Sequence, residues 1–478
     1  MNYKLMLRML GRTLQVEALC LLLPLVVALL YREDPRPFLF TIVPVALLGT
    51  FMARIKSKSE FFSREGYAVV GLIWLILSLF GSLPFWFSGE FAGFMDCLFE
   101  IISGFTTSGA TILTDIESLP RGILFWRSFS SWIGGMGVLL FTLAFLPKVG
   151  GRTQVLVQAE VPGPISSKLV PKTVRSSQIL YFIYIAFTVI EIAAFLLAGM
   201  PLYDAVVTTF ASVCTGGFSV MNASLRAYNS AACEIIAIVF MILGSLNFSV
   251  FFLVLTGRAR QALHSDELRF FLGVVVLASL LVFGNILPLY DTAGHALRDA
   301  VFQVTSIIST SGFCTTDYNL WPPFAQTILV LLMFVGGCSG STAGSIKCGR
   351  ILLAVRCSIR SLLRLSHPRA VRVVKLDRKA VDEETLNTIF VFFIFFFLLL
   401  GAGCLVVSLD GVSLTTAFTA SLGCLSNVGP GLDGVGPVAS FAGLSGLSKG
   451  VLSLQMLIGR LEIFPILLLF HPAAWGRS

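Results

Sequence analysis

Apolar runs of two different lengths alternate along the chain. Four long runs, at residues 67–87, 179–197, 270–287 and 388–407, are each followed by a shorter run, a polar segment with glycine and a further apolar run. About 20 apolar residues cross the hydrocarbon core of a bilayer, whereas about 10 to 14 suggest a segment that enters and turns back. The pattern therefore predicts four units, each built as helix, half-helix, loop and helix.

The short runs and the loops after them repeat with the same internal spacing. The short runs lie at 91–105, 204–214, 299–309 and 416–424, and the loops read TTSGAT (106–111), TGGFS (215–219), TSGFC (310–314) and NVGPGL (427–432). If Gly109, Gly217, Gly312 and Gly429 are equivalent, the residues thirteen positions earlier are Asp96, Asp204, Asp299 and Thr416. The chain thus contains a degenerate repeat of roughly 100 residues, and all four copies have the same orientation.

The closing runs of the units lie at 123–146, 235–255, 325–335 and 452–469, and the third differs from the others because it is interrupted. Residues 336–345 read GGCSGSTAGS, and an amphipathic run follows at 346–355.

Two further apolar runs, at 14–30 and 38–52, predict an N-terminal helical hairpin. The first resembles a signal peptide but lacks a small-residue cleavage site, so we expect it to be retained. The predicted divisions are 1–62 for the hairpin and 63–160, 161–262, 263–380 and 381–478 for the repeats.

Composition agrees with this pattern and excludes a water-soluble domain. Of 478 residues, 56% are hydrophobic and 13% are charged, and the mean hydropathy is +0.88, as expected of a polytopic membrane protein. Lys and Arg number 34 against 26 Asp and Glu, and this excess is concentrated in particular loops, which argues against nucleic-acid binding. By the positive-inside rule these loops and the N-terminus are cytoplasmic, and the glycine loops face outward.

The cysteines and histidines form no pattern typical of a metal or disulfide framework. The ten cysteines include no CxxC pair, and most lie in apolar runs, where a free cysteine behaves as a small hydrophobic residue. The histidines, His264, His295, His367 and His471, are scattered. We therefore expect neither disulfides nor structural zinc, and no histidine metal site.

Four glycine loops at membrane depth predict a cation pathway. Irregular backbone inside a membrane is tolerated only where it is buried in protein or lines a water-filled cavity. Loops that converge on one axis can replace the water shell of an ion with carbonyl oxygens, as in the filter of potassium channels. Glycine allows the required backbone angles, and the partly negative C-terminus of each half-helix points at the path. A single glycine copy would be explained as a helix cap, but four copies at one spacing favour the pathway. The acids thirteen residues before the glycines are explained by ordinary capping at the start of each half-helix.

Two further features suggest control of such a pathway. The break at 336–345 is either a cytoplasmic loop or, because the run before it is short, a flexible gate inside the membrane. Lys347 is then either an interfacial anchor or part of that gate. Arg460 lies within the last apolar run, where it either tunes cation flux or is a buried structural residue bonded to carbonyls. Glu462 falls on a different helix face from Arg460, and Glu191 suggests a helix–helix hydrogen bond.

Taken together these motifs resemble one known family. TTSGAT, TGGFS, TSGFC, NVGPGL, GGCSGSTAGS followed by IKCGRIL, HPRAV (367–371) and GRLEIF are similar to the TrkH membrane subunits of bacterial Trk potassium-uptake systems, within the Trk/Ktr/HKT superfamily. The resemblance extends over essentially the whole chain. It implies an all-α polytopic membrane protein with four pseudo-fourfold helix-pore-helix repeats, related to potassium channels, plus the N-terminal hairpin.

The resemblance also assigns roles to residues. The K⁺ selectivity filter would comprise Thr107, Ser108, Gly109, Thr215, Gly216, Gly217, Thr310, Ser311, Gly312, Asn427, Val428 and Gly429. The gate would comprise Gly336, Gly337, Gly340, Ser341, Gly344, Lys347 and Arg460. Glycine at all four key positions favours potassium over sodium. Ser108, Thr215 and Cys314 depart from the most familiar filters of the family, and since carbonyls bind the ion we expect small effects on selectivity.

Partners and location follow from the same resemblance. It implies a homodimer in the bacterial inner membrane and a cytosolic TrkA-type regulatory subunit that binds the nucleotide, ATP/ADP or NAD/NADH. No GxxxxGK[ST] or strand-borne GxGxxG occurs, so this chain is expected to bind no nucleotide cofactor itself.

Three alternatives remain from the sequence. The first is a sodium-coupled or sodium-permeable transporter of the same superfamily. The second is a membrane-embedded enzyme, which would need converging acids, a metal set or an activated nucleophile, none of which is evident. The third is a secondary transporter with inverted repeats, which the common orientation of the four repeats disfavours.

Overall fold

The computed structural model describes residues 3–55, 63–137, 174–367 and 372–470. The later part of the predicted run 123–146 and residues 368–371 of the HPRAV motif lie outside these ranges. The helices are α1 (Tyr3–Cys20), α2 (Leu22–Leu30), α3 (Arg36–Ala53), α4 (Ser63–Gly81), α5 (Leu83–Ser88), α6 (Phe94–Phe105), α7 (Arg121–Gly135), α8 (Val174–Leu197), α9 (Leu202–Val213), α10 (Ala231–Ser245), α11 (Phe248–Leu255), α12 (Ala259–Leu263), α13 (Asp266–Ile286), α14 (Ala293–Ile308), α15 (Pro323–Val335), α16 (Cys348–Ser366), α17 (Glu383–Ser408), α18 (Leu414–Leu425), α19 (Gly446–Arg460) and α20 (Phe464–Phe470). Strands β1 (Lys375–Leu376) and β2 (Lys379–Ala380) form an antiparallel pair between α16 and α17, with Lys375 opposite Ala380.

The long apolar runs form the membrane-spanning helices. Six helical stretches among the described residues are long and apolar enough to cross a membrane, or seven if the bent pair α10 and α11 is one span. They are Tyr3–Leu30, Arg36–Ala53, Gly66–Ser88, Gln178–Leu197, Asp266–Leu289 and Glu383–Ser408. The first two form the predicted hairpin and the other four open the four repeats. Large apolar side chains on these helices are exposed, as on α17 at Ile394, Phe397 and Leu405, because their solvent is lipid.

The short apolar runs form four pore helices that close a ring with the helices after the loops. The pore helices are α6, α9, α14 and α18, and the closing helices are α7, α10, α15 and α19. Helix α9 packs on α7, α14 on α10, α18 on α15, and α6 on α19, so each pore helix contacts the closing helix of the preceding repeat. The last contact joins the fourth repeat to the first and closes the ring. The predicted fold class is thereby confirmed.

Each closing helix is too short to cross the hydrocarbon core of a bilayer, which is about 30 Å thick. Helices α7, α10, α15 and α19 have 15, 15, 13 and 15 residues, which at 1.5 Å per residue is roughly 20–22 Å. The break predicted after residue 335 is present, but the runs 235–255 and 452–469, which we predicted to be continuous, are broken as well. Helices α10 and α11 meet at 92°, and Glu462 and Ile463 lie at positive φ between α19 and α20. The closing helices of repeats two, three and four therefore all give way to irregular backbone.

The N-terminal hairpin packs on the first repeat through a close helix crossing. Helix α1 lies against α3 and α4, and α2 lies against α7. A Cβ added at Gly11 would lie 2.5 Å from the backbone nitrogen of Ala53, and one added at Gly49 would lie 2.9 Å from the carbonyl oxygen of Gly11. Small residues permit such approach in membranes, where helix association depends on van der Waals packing and polar contacts.

The crossing predicts a marked difference between two glycine substitutions. Gly11→Ala should destabilise the protein by about 1–3 kcal/mol because the added methyl group meets backbone atoms that cannot move aside. Gly273→Ala in α13 is the matched control, since a Cβ there meets nothing within 4 Å. The control should gain up to about 1 kcal/mol from helix propensity. The thermal midpoint of the purified protein in detergent measures both effects, and equal midpoints for the two variants would contradict the close crossing.

Candidate functional site

All four pore helices end in the same hydrogen-bonded cap. In each cap one amide donates to the carbonyl three residues back, and the next amide donates to the carbonyl five residues back. The first of these two amides, called here that of the first loop residue, belongs to Thr107, Thr215, Thr310 or Asn427. The longer bonds run from Ser108 to Ser103, Gly216 to Ala211, Ser311 to Ser306 and Val428 to Gly423, at 2.7–2.9 Å. This is the Schellman arrangement, which satisfies free carbonyls at a helix end and places the first loop residue in the left-handed conformation.

Three of the four left-handed positions hold threonine, where glycine is the usual residue. The φ angles are 55° at Thr107, 56° at Thr215, 59° at Thr310 and 53° at Asn427. A β-branched residue at positive φ is a true outlier, and such strain persists only where surrounding contacts enforce it. Two residues later Gly109, Gly217, Gly312 and Gly429 return to positive φ, at 76°, 68°, 79° and 89°. Each loop therefore has two residues at positive φ, and the single residue between them does not have positive φ.

The four glycines close a second ring, made of backbone. A Cβ added to each glycine would collide with the carbonyl oxygen of the middle residue in a neighbouring loop: Gly109 with Gly216, Gly217 with Ser311, Gly312 with Val428, and Gly429 with Ser108. The separation is 2.5 Å for Gly109 and Gly429 and smaller for the other two. Only glycine fits at these four positions, because each one borders a carbonyl oxygen of the adjoining repeat.

The carbonyls of this ring are free to bind a cation. Among the described residues, no backbone or side-chain donor bonds to the carbonyl oxygen of Ser108, Gly216, Ser311 or Val428. The pore helices end directly before the loops, and a helix C-terminus carries a partial negative charge. The ring thus offers oxygen ligands in a negative field, which suits a cation without its water shell. The twelve predicted filter residues are brought together here, although their role in selectivity stays a prediction.

The segment 336–347, called here the crossing loop, lies against the inner side of this ring. Thr342 Oγ1 donates to the carbonyl oxygen of Gly244 at 2.9 Å and lies 3.2 Å from Thr215 Oγ1. The amide of Gly344 donates to Thr310 Oγ1 at 2.8 Å. Two of the strained threonines therefore use their hydroxyl groups to hold the crossing loop. Of the predicted gate residues in the crossing loop, Gly336 and Gly340 have positive φ. Gly337 and Gly344 are packed so closely against other atoms that a Cβ added at either position would clash.

Arg460 joins three repeats at the level of the crossing loop. Its guanidinium donates to the carbonyl oxygen of Thr342 at 2.6 Å and to Thr107 Oγ1 at 3.2 Å. It also donates to the carbonyl oxygens of Gly134 and Gly135, at 2.6 and 2.5 Å. Arg460 is thus bonded to carbonyls beside the pore loops, as one of the two predicted possibilities has it, and its effect on cation flux stays a prediction.

A buried charge cluster follows Arg460. Glu462 accepts a hydrogen bond from Arg350 of α16 and has Lys347 Nζ 3.6 Å from its other carboxylate oxygen. All three side chains are buried, and the Arg350 guanidinium lies 4.2 Å from the ring centroid of Phe392. Lys347 is therefore not an anchor at the membrane surface. The sequence placed Glu462 on a different face from Arg460 and did not reveal its partners, Lys347 in the crossing loop and Arg350 on α16.

Sequence reasoning also missed a buried ion pair next to the first loop. Arg127 Nε of α7 lies 2.6 Å from Glu100 Oε1 of α6, and both side chains are at most 2% exposed. Glu100 accepts from Thr111 Oγ1 at 2.8 Å and from the amide of Ile112 at 2.9 Å, while Arg127 donates to the carbonyl oxygen of Ser219. The pair ties the first loop to the second. Its sequence signal was two charged residues inside apolar helices.

The residues thirteen positions before the key glycines lie in different environments. Asp96 and Asp204 are in the first turns of α6 and α9, where the helix dipole favours them, and Asp96 pairs with Lys449 Nζ at 2.6 Å. Asp299 lies within α14, which begins six residues earlier, and accepts from Tyr290 at 2.9 Å. Capping therefore does not explain Asp299. Thr416 donates to Asp433 Oδ2 at 2.9 Å.

The outer segments that follow the loops are also connected across repeats. Asn319 Oδ1 accepts from the amide of Asp433 at 2.9 Å, and Asn222 Nδ2 donates to Asp115 Oδ1 at 2.8 Å. Hydrogen bonds from Ser413 and Thr416 lower the pKa of Asp433, so its carboxylate stays charged in mildly acidic surroundings. These bonds fix the outer ends of the loops relative to one another.

Other residues noted in the sequence have limited roles in the geometry. Glu191 is fully buried beside Ser212 of α9, but neither carboxylate oxygen has a donor at hydrogen-bonding distance among the described residues. Ser212 is the neighbour that the predicted helix–helix hydrogen bond would use, and that bond stays a prediction. Cys314 is buried with its thiol 3.5 Å from the carbonyl oxygen of Gly312. All ten cysteines are unpaired, as the sequence indicated.

A bundle of spanning helices around four converging pore loops defines a membrane transport protein rather than an enzyme. The family model described as "TrkH: Cation transport protein" matches residues 36–476. The chain therefore belongs to the TrkH family of cation transport proteins.

Curated relatives and a solved structure agree over the full length of the chain. The Trk system potassium uptake protein TrkH of Salmonella typhimurium is 37% identical over 487 residues, covering 99% of this chain and 100% of the relative. The Trk system potassium uptake protein TrkG of Escherichia coli is 34% identical, covering 98% of this chain and 97% of the relative. The crystal structure of the potassium transporter TrkH from Vibrio parahaemolyticus matches with a TM-score of 0.90 and 33% identity, covering all of both chains.

The buried pair predicts a strong effect of removing one charge. Glu100→Gln should destabilise the protein by about 3–5 kcal/mol because it leaves the Arg127 guanidinium buried without a counter-charge. Glu90→Gln is the matched control, since Glu90 is exposed just before α6, and it should change stability by less than about 0.5 kcal/mol. Denaturation of the purified protein in detergent measures both. Equal stability of the two variants would show that the pair contributes nothing.

Proposed function

We propose that the protein takes up potassium across the bacterial inner membrane through the axis of the four loops. The observation that carries this proposal is the closed ring in which each glycine borders the carbonyl oxygen of the adjoining loop. Since no described protein donor occupies those oxygens, they can replace the hydration shell of an entering ion. Relatives with 34–37% identity are named as potassium uptake proteins, which supports potassium as the ion.

In this proposal the crossing loop and Arg460 form the gate. The crossing loop lies under the ring and is held by Thr215, Thr310 and the guanidinium of Arg460. Arg460 also adds a positive charge just inside the ring, which opposes the passage of a cation. Hydrogen bonds from a charged donor contribute about 1.5–3 kcal/mol each, so this arrangement favours the closed state until another interaction offsets it.

That offsetting interaction would come from a cytosolic partner. We propose a TrkA-type regulatory subunit that carries the nucleotide and contacts the basic segment from α16 to β2, and a homodimer of this chain. The same positive residues support a cytoplasmic N-terminus. The chain itself would bind K⁺ as transported ion and no nucleotide.

Flux into liposomes tests the proposed ion. Rubidium uptake by the reconstituted protein, with potassium, sodium and lithium as competitors at two external pH values, should be suppressed by potassium and little affected by sodium. A response to external pH at fixed voltage would indicate coupling to protons. Equal competition by sodium would overturn potassium selectivity and favour the sodium-permeable alternative.

Substitution of one ring glycine should weaken selectivity. Gly217→Ser introduces a Cβ that collides with the carbonyl oxygen of Ser311 and displaces one ligand from the ring. We expect the ratio of rubidium to sodium uptake to fall by about tenfold or more, which corresponds to about 1.4 kcal/mol of lost discrimination. Gly443→Ser in an outer turn, where a Cβ meets nothing within 4 Å, should leave the ratio unchanged. A folded Gly217→Ser protein with the original ratio would remove Gly217 from the filter.

Two substitutions of Arg460 separate its charge from its hydrogen bonds. Arg460→Ala should raise flux severalfold at fixed driving force, because both the charge and the bonds to the crossing loop are lost. Lysine keeps the charge but lacks the planar fork that reaches several carbonyls at once. If the bonds hold the gate, Arg460→Lys should behave as Arg460→Ala; if the charge limits flux, it should behave as the unmodified protein. Unchanged flux in both variants would leave Arg460 with a structural role alone.

A further inference from the structure

Two cysteines and a glutamate from distant parts of the third repeat meet beside the crossing loop. Cys338 lies in the crossing loop, Cys348 begins α16, and Glu267 lies in the first turn of α13. The two sulfur atoms are 3.8 Å apart, and Cys348 Sγ is 3.6 Å from Glu267 Oε1. All three ligand atoms lie within 4.8 Å of one another, and the three side chains are buried.

These separations match the edges of a tetrahedral metal site. Zinc binds thiolate sulfur at about 2.3 Å and carboxylate oxygen at about 2.0 Å, which gives tetrahedral edges of about 3.8 Å between two sulfurs and about 3.5 Å between sulfur and oxygen. The sulfur–sulfur distance and the distance from Cys348 Sγ to Glu267 Oε1 therefore already match two edges of such a site, and Cys338 Sγ lies within 4.8 Å of a Glu267 carboxylate oxygen. The donor set of two thiolates and one carboxylate suits soft or borderline cations and not potassium or sodium.

We propose that Glu267, Cys338 and Cys348 form a binding site for a thiophilic divalent cation such as zinc or cadmium, and that the bound ion holds the crossing loop closed. The sequence did not suggest this site, because Cys338 and Cys348 are ten positions apart and Glu267 precedes them by 71 and 81 positions. The site is distinct from the potassium pathway. The regulatory half of the proposal rests on the proposed function.

The surroundings of the three ligands are those of a supported site. The amide of Ser339 donates to Glu267 Oε1 at 2.7 Å and fixes the carboxylate, as outer-shell partners do in metal sites. Ser339 Oγ is buried beside the Glu267 carboxylate, so it or a water can supply a fourth ligand. A Cβ at Gly349 would lie 2.6 Å from Glu267 Oε1 and 2.9 Å from Ser339 Oγ, so glycine keeps this space open.

Charge and access also allow a divalent ion to bind. Metal binding removes one proton from each thiol, and the two protons leave to the solvent. The resulting ligand set carries three negative charges against two on the metal, and the ammonium group of Lys347 acts on Glu267 from nearby. Ser339, Gly340 and Ser341 are partly exposed next to Cys338, so an ion reaches the thiols by displacing a short rim of the crossing loop.

A bound ion would restrain both ends of the crossing loop. Cys338 lies two residues after its start, Cys348 directly follows its end, and Glu267 connects both to α13. The middle of the crossing loop is already bonded to Thr215 and Thr310. Because opening would have to move the crossing loop away from these threonines, a tie at its two ends opposes opening.

Cadmium binding tests the site without any transport measurement. Titration of the reduced full-length protein with cadmium chloride should produce a thiolate-to-metal charge-transfer band in the ultraviolet that saturates at one ion per chain and is displaced by zinc. The band should be lost in Cys338→Ser/Cys348→Ser and persist in Cys357→Ser, a buried cysteine further along α16. Glu267→Gln should weaken binding by at least about tenfold, and this variant decides the matter if the double variant does not fold. No band in the unmodified protein, or an undiminished band in the double variant, would overturn the site.

Two readouts test the restraint on the crossing loop. Cadmium should slow hydrogen exchange of the amides at 336–347 in the unmodified protein and not in Cys338→Ser/Cys348→Ser; unchanged exchange would overturn the restraint. In liposomes cadmium should lower rubidium flux by about tenfold or more at a hundredfold excess over its dissociation constant, reversibly with a chelator. Flux that is unaffected by bound cadmium would overturn the regulatory half alone. A protein with no rubidium flux under any condition would contradict the proposed function, while the absorption and exchange results would still decide the metal site.

Discussion

Four backbone carbonyl groups inside a membrane, which accept from no donor in the part of the chain that the structure describes, are the constraint on which the rest of the structure depends. Unpaired backbone groups in hydrocarbon cost several kcal/mol each, so they persist only where the surrounding protein encloses them. Here the enclosure is built four times from the same parts: a short helix, a Schellman cap and a glycine that fits against the carbonyl of another repeat. The strained threonines are held in the left-handed conformation because their hydroxyl groups and backbone amides are both engaged.

The closing helices complete this enclosure by ending early. Because α10, α15 and α19 stop near the level of the ring, the irregular backbone after each of them can reach the axis. Helix α10 contributes the carbonyl of Gly244, near its end, as an anchor for Thr342. The crossing loop follows α15, and α19 ends at Arg460, which donates to the carbonyl of Thr342. The segments that support the loops are thus also bonded to one another, so a change in one of them alters the contacts of the other two.

Local signals made the fold predictable, and long-range contacts limited the prediction of the site. Run lengths distinguished spanning helices from pore helices, and the spacing of Gly109, Gly217, Gly312 and Gly429 identified the loops, because both depend on neighbouring residues alone. The break between α10 and α11 follows Gly244 and Ser245, and Asn247 caps α11, so a local signal was present but was hidden inside a long apolar run. The partners of Arg460, the pairing of Glu100 with Arg127 and the meeting of Glu267 with Cys338 arise only when separate repeats pack together, and a single sequence does not encode such pairs as a pattern.

The four loops of the ring belong to one polypeptide, and this has an evolutionary consequence. In an assembly of four identical subunits every substitution would appear four times around the axis, and a harmful change could not be confined to one side. Here each quadrant mutates independently. The left-handed residue at the start of the cap is threonine in three repeats and asparagine in the fourth, and the crossing loop belongs to the third repeat alone. A single chain with four diverged repeats can therefore keep a symmetric ring of carbonyls while only one quadrant contributes the crossing loop.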